Sequence, residues 1–168
     1  MHIVFVTTEL SPATNGGAGV AVARLRTLLT EAGHTVSVIL VADEPSRADP
    51  GVTIVGSHKD ASTRSRLAAD AVAAFVAEHV SENPVDLIEV QDFDGLGFWM
   101  LADRTRSGID TTPVQVRFHG TADLMFESID HASPEIDVIA TLERGVLAMA
   151  DRVVVPSDAI GNAVVGRY

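Results

Sequence analysis

The sequence predicts an α/β protein built on a doubly wound, mostly parallel open sheet with helices on both faces. Two observations predict it. Short apolar runs rich in β-branched residues alternate with helical patterns along the whole chain. Those runs are mostly continuous rather than alternating in polarity, as expected of parallel strands covered on both sides.

The strand-length runs are "HIVFVTT" (2–8), "TVSVILVA" (35–42), "VTIVG" (52–56), "VDLIEV" (85–90), "PVQVRF" (113–118) and "RVVVP" (152–156). A first helix lies between the first two runs, where Val22, Leu25 and Leu29 share a face and Gly33 stops it. A second carries Val72, Phe75, Val76, His79 and Val80 at i, i+3, i+4, i+7 and i+8. A third is expected to begin near Gly95. The fourth has Ser133 as N-cap and Pro134 at its first position, with Ile139, Leu142, Val146 and Met149 on one side. Right-handed βαβ crossovers then give one Rossmann-like unit over residues 1–168, without internal repeat or linker.

The 168 residues, 46% of them hydrophobic, suffice for one ordinary core. A formal charge of -11, from 23 acidic and 12 basic side chains, argues against nucleic acid and anionic lipid as partners. Cysteine is absent, which excludes disulfides and thiolate metal sites. No signal-peptide pattern opens the chain, and no apolar run approaches the roughly 18 residues needed to cross a bilayer. The expectation is a cytoplasmic protein. The histidines lack metal-ligand spacing, so no metal is expected. The chain stops at "AIGNAVVGRY", inside a helical pattern, and reads as cut rather than finished.

In such a sheet ligands sit at the carboxyl ends of the strands. That edge carries three candidate stretches. The first is "TNGGAG" (14–19), between the first strand and first helix, which puts Thr7, Glu9, Asn15, Gly16 and Gly17 on the working side. Glycine there lets backbone approach a ligand, and the helix N-terminus can receive a phosphate. A dinucleotide fingerprint fits poorly, because Val22 stands where a third glycine belongs; Asp43 and Glu44 occupy the place of a ribose-binding acid, or of a solvated loop. A P-loop is excluded, since the only lysine is Lys59. A receiver domain is excluded too, because Phe118 and His119 stand where its lysine belongs.

The second stretch is "IEVQDFDGLGFWM", where Gln91, Asp92 and Asp94 leave a strand end and Gly95 and Gly97 open a helix. Phe93, Phe98 and Trp99 beside them are either core or a sugar-binding wall, and Asp94 is either a helix cap or a ligand. The third is "VRFHGTADL". Here the His119 imidazole is placed over the top of the sheet, with Gly120 giving backbone access and Thr121 a hydroxyl. His2, His34, His58, His79 and His131 lack comparable settings.

In this order the pieces resemble the N-terminal half of GT-B glycosyltransferases, in the large retaining family that includes glycogen and sucrose synthases. "HIVFVTTELSP…NGGAGVAVARLRTLLTEAGHTVSVILV" is similar to that family's first strand, glycine loop, helix and second strand. "VDLIEVQDFDG", "VRFHGT" and "LERGVLAMADRVVVPSDAI" are similar to three further segments, so the likeness covers nearly the whole chain.

The resemblance implies a two-domain enzyme that moves a sugar from a nucleotide-sugar donor to a sugar, lipid or small-molecule acceptor, with retention and without a metal or other cofactor. It implies that Gly16 and Gly17 approach the donor diphosphate and the acceptor, and that His119 contacts the donor sugar at the reaction centre. Glu9, Asn15, Gln91, Asp92, Gly120 and Thr121 would complete the substrate site. No histidine falls between His2 and His34, where inverting relatives carry their base, which favours the retaining branch. Glycogen synthases have a lysine just before the glycine pair, and Thr14 and Asn15 stand there instead, which argues against a polymerising role. The nucleotide-binding C-terminal half has no counterpart in this chain. The fragment alone is therefore expected to be inactive, because lost positioning accounts for roughly 7–11 kcal/mol of barrier. The alternative is a stand-alone α/β module binding a nucleotide or phosphorylated metabolite without catalysis.

Overall fold

The structure, a computed structural model, describes residues 1–12, 16–42, 50–79, 83–122, 124 and 133–167. Asp43, Glu44, Val80, His131, Thr14 and Asn15 fall outside the described residues. Six strands, His2–Thr7 (β1), Thr35–Val41 (β2), Val52–Val55 (β3), Leu87–Gln91 (β4), Val114–Arg117 (β5) and Arg152–Val154 (β6), form one sheet in the order β3-β2-β1-β4-β5-β6. Every pairing is parallel. Each strand lies within two residues of its expected ends. The order reverses between β1 and β4, so the switch point, where such sheets hold ligands, opens between their carboxyl ends.

The helices are Gly17–Glu31 (α1), Ala61–His79 (α2), Phe98–Ala102 (α3), Pro134–Met149 (α4) and Asp158–Arg167 (α5). Successive strand residues face opposite ways, so the sheet feeds two cores. Ile3, Phe5, Val38 and Leu40 pack with Val22, Leu25 and Leu29 of α1. Val4, Val6, Ile39, Ile88, Val90, Val114 and Val116 meet α2, α3 and α4 on the other face. Each fully buried side chain of this kind contributes roughly 1.5–3 kcal/mol.

Local chemistry ends the helices as the sequence requires. Gly33, at φ +85°, closes α1: its N–H donates to the Thr30 carbonyl and the next N–H, of His34, to the Leu29 carbonyl. The Ser133 hydroxyl caps α4 by accepting from the Ile136 N–H at 3.3 Å, with Pro134 behind it.

The third helix departs from expectation. A 3-10 turn over Phe93–Gly95 comes first, and α3 begins only at Phe98. The cause is backbone: Asp94 and Gly95 both sit at φ +60°, which breaks the right-handed run. Gly95 has no room for a side chain, since a Cβ would lie 2.3 Å from the Leu142 Cβ of α4. Strain and overlap both act against Gly95→Ala. The expected loss is about 3 kcal/mol, or roughly 6–12 °C in thermal midpoint by calorimetry.

Candidate functional site

Strand β1 ends at Thr7, and the chain turns at once. The Thr7 hydroxyl donates to the Glu9 carbonyl at 2.8 Å and accepts from the Glu9 N–H at 3.0 Å. This turn sends the Glu9 side chain onto the start of α1, where its Oε2 accepts from the Gly19 N–H at 3.2 Å. A carboxylate thus meets the partial positive charge of the helix start. Gly16 makes the approach possible, because a Cβ there would lie 1.9 Å from Glu9 Oε2. Gly17 is exposed, and among the described residues nothing beyond its own turn of helix lies within 4 Å of where its Cβ would be.

Strand β4 ends one position away in the sheet. The Gln91 Oε1 accepts from the Thr8 N–H at 3.5 Å, tying the two strand ends across the switch point. Gln91 is only 3% exposed, yet its Nε2 has no partner among the described residues. Buried donors without partners are uncommon and each costs about 1–3 kcal/mol. Asp92 is fully buried. Its Oδ1 and Oδ2 each lie 3.0 Å from the His119 N–H, and Oδ2 also accepts from the Gly120 N–H at 3.0 Å. Burial pushes the Asp92 carboxyl above its ordinary value, while these N–H bonds and the nearby imidazole act the other way.

The loop after β5 therefore hangs on β4 by its backbone. That arrangement leaves the His119 side chain exposed at the carboxyl edge, with Gly120 at φ +133° beside it and Thr121 fully buried. Below the edge, Arg117 grips Glu89 with its Nε at 2.6 Å and Nη2 at 3.1 Å, and Gln115 donates to the same carboxylate at 2.5 Å. A forked pair of this kind fixes β4 against β5 under the site.

The structure thus gathers Glu9, Gly16, Gly17, Gln91, Asp92, His119, Gly120 and Thr121 on the carboxyl edge of the neighbouring strands β1, β4 and β5. Asn15 lies outside the described residues. The aromatic trio divides. Phe98 and Trp99 pack on the core, Trp99 donating to the Ser62 hydroxyl and lying under Arg66 at 3.6 Å, whereas Phe93 is 41% exposed. Asp94 is no helix cap; it pairs with Arg64 at 2.6 Å. His2 and His79 are held with Phe75 in a ring cluster far from this edge, at the amino end of the sheet.

One residue was missed. Glu143 on α4 is fully buried and accepts from the N–H groups of Asp94 and Ala122, on the two loops that frame the site. The signal lay in the pattern, for 143, 146 and 147 share the apolar stripe of that helix, and a glutamate there needs a reason.

Residues 16–168 match the family described as the glycosyl transferase 4-like domain. The chain belongs to that family. No curated protein matches it in sequence. Among solved structures, sucrose-phosphate synthase from Thermosynechococcus elongatus is similar at a TM-score of 0.72 and 18% identity, covering 99% of this chain and 45% of that one. The catalytic domain of starch synthase IV from Arabidopsis thaliana, bound to ADP and acarbose, gives 0.57 and 16%, covering 90% and 44%. Phytolacca americana UGT2, complexed with UDP-2-fluoro-glucose and pterostilbene, gives 0.56 and 9%, covering 95% and 49%. At these identities the likeness is one of fold, the GT-B glycosyltransferase fold. The chain spans less than half the length of these structures. No described helix is long and apolar enough to cross a membrane.

The Asp92 anchor can be tested directly. Asp92→Ala leaves the His119 and Gly120 N–H groups without partners and should lower the free energy of unfolding by about 2–4 kcal/mol. Urea titration with an unchanged slope would report it, and unchanged stability would remove the anchor.

Proposed function

We propose that this chain is the acceptor-side domain of a retaining glycosyltransferase, which moves a hexosyl unit from a nucleoside-diphosphate sugar to an acceptor hydroxyl. One observation carries the reading: Gln91 holds a buried N–H donor, unpartnered among the described residues, at the switch point of a glycosyltransferase-family sheet. An oxygen of a bound sugar would satisfy such a donor.

The neighbouring groups suit a polyhydroxylated ligand. The Glu9 carboxylate accepts from hydroxyls. The exposed His119 imidazole can donate to a sugar oxygen or stabilise charge that develops as the glycosidic bond breaks. Thr121 is fully buried, so it would support the loop from within rather than touch the ligand. Asp92 acts from beneath, through the backbone it holds. Gly16 is taken up by Glu9, so the approach to a diphosphate falls to the exposed backbone of Gly17, beside the seat of Glu9.

Nucleotide and donor sugar would be held largely by a second domain, in keeping with the length of the structures it resembles. Two of those are solved with ADP and with a UDP-sugar analogue, which makes UDP- and ADP-sugars the first donors to try. The reading requires no metal. A stand-alone nucleotide-binding module is less well supported, because the matching family and the structures of similar fold are glycosyltransferases.

Transfer from UDP- and ADP-glucose to a hydroxyl acceptor panel, by the longer protein containing these residues, tests the proposal. Activity with retained anomeric configuration is expected, His119→Ala should lower kcat by roughly 10²-fold or more, and the 168-residue chain alone should show negligible transfer. Inversion, or a His119→Ala rate equal to wild type, would overturn it.

A further inference from the structure

Helix α4 carries one acid on its apolar side. Glu143 lies fully buried beside Leu142, Val146 and Leu147. An uncompensated carboxylate in such a place costs several kcal/mol, and among the described residues no ion pair to Glu143 offsets it, Arg64 being engaged with Asp94.

What Glu143 does have is two backbone donors from different loops. Its Oε1 accepts from the Asp94 N–H at 3.1 Å, in the turn after β4, and its Oε2 from the Ala122 N–H at 2.6 Å, after β5. Ala122 follows directly on residues 119–121, whose leading end is held by Asp92. Two buried carboxylates therefore grip this loop, one at each end.

We propose that Glu143 is a positioning residue: its carboxylate clamps the far end of the loop bearing His119 to the turn bearing Asp94, and so sets where the imidazole stands over the sheet. Only the link to sugar transfer rests on the function proposed above; the clamp is a property of the fold.

Its protonation adds a signature. Burial, reinforced by the charges of Asp92 and Asp94, pushes Glu143 up to about 8, against the bonds from Ala122 and Asp94. The charged groups that act on it are Asp92 at the end of β4 and Asp94 in the 3-10 turn; Arg64 of α2 and Glu135 of α4 act in turn on Asp94, and His119 of the loop after β5 on Asp92. Ionised or protonated, the group can accept from both N–H groups, because a protonated carboxyl keeps acceptor capacity on each oxygen, whereas the NH2 of a glutamine only donates. Between its ordinary 4.5 and about 8 the folded chain holds a proton that the unfolded chain has lost. Stability from this group is thus complete below that window and declines as pH rises through it.

Glu143→Gln in the 168-residue chain tests this, because it keeps the shape and removes the titration. The thermal midpoint of the wild type should fall more steeply between pH 5 and pH 8 than that of the variant. The Ala122 amide should exchange with solvent about tenfold faster or more in the variant, with the His119 and Gly120 resonances displaced. Parallel pH profiles, or an Ala122 amide indifferent to the substitution, would overturn the clamp. Should Glu143→Gln misfold, the wild-type Ala122 and Asp94 amides decide: a shared titration near pH 8 supports the clamp and its absence overturns it. These readouts need no substrate. A clamp that holds while His119→Ala leaves transfer untouched would sink the function and spare the clamp.

Discussion

Wherever the chain leaves this parallel sheet, backbone N–H groups lose their ladder partners and have to find others. The sequence answers with carboxylates. At the amino edge, Asp86 accepts from the His2 N–H and Asp151 from the Val114 N–H, each at 2.7 Å. At the carboxyl edge Glu9, Asp92 and Glu143 do the same for the start of α1 and for the loops after β4 and β5. A strongly acidic composition is thus partly structural. Several of the acids face inward, onto backbone.

The site inherits its rigidity from this arrangement. Glu9 comes from the strand on one side of the switch point, Gln91 from the strand on the other, and His119 from the next strand out. The Thr8–Gln91 bond, the fork of Arg117 on Glu89 and the Asp92 anchor hold these three strand ends together. Burial raises Asp92, Asp94 and Glu143 alike, so the frame under the site is a set of carboxyls held against their preference for water. Such clustering is common where a fold supports chemistry.

Local signals were legible in the sequence. Strand runs, the cap at Ser133 and the stop at Gly33 were found where residue pattern and turn chemistry put them, because those depend on neighbours a few positions away. The position of the three strand-end stretches followed too, since parallel topology brings carboxyl ends together whatever their side chains. The uses of individual acids did not. Asp92 reads as a ligand and serves backbone 27 residues later; Glu143 reads as one more helix residue and reaches back 49 positions. The break before α3 was hidden for a related reason. Asp94 takes a left-handed backbone that the stretch "DFDGLG" permits, but it is Leu142, far along the chain, that leaves no space for anything larger than glycine at 95.

The seat of Glu9 has a wider consequence. In many nucleotide-handling folds a helix start beside a glycine pair stands vacant and welcomes phosphate. Here it has a tenant of the same sign, tethered to the protein and therefore at high effective concentration. An arriving anion must displace that tenant or settle to one side of it, over the bare backbone of Gly17, whereas a neutral hydroxyl can simply dock against it. The first turn of α1 is thus already partnered from within the chain, and the exposed backbone of Gly17 is the part of it that Glu9 leaves open.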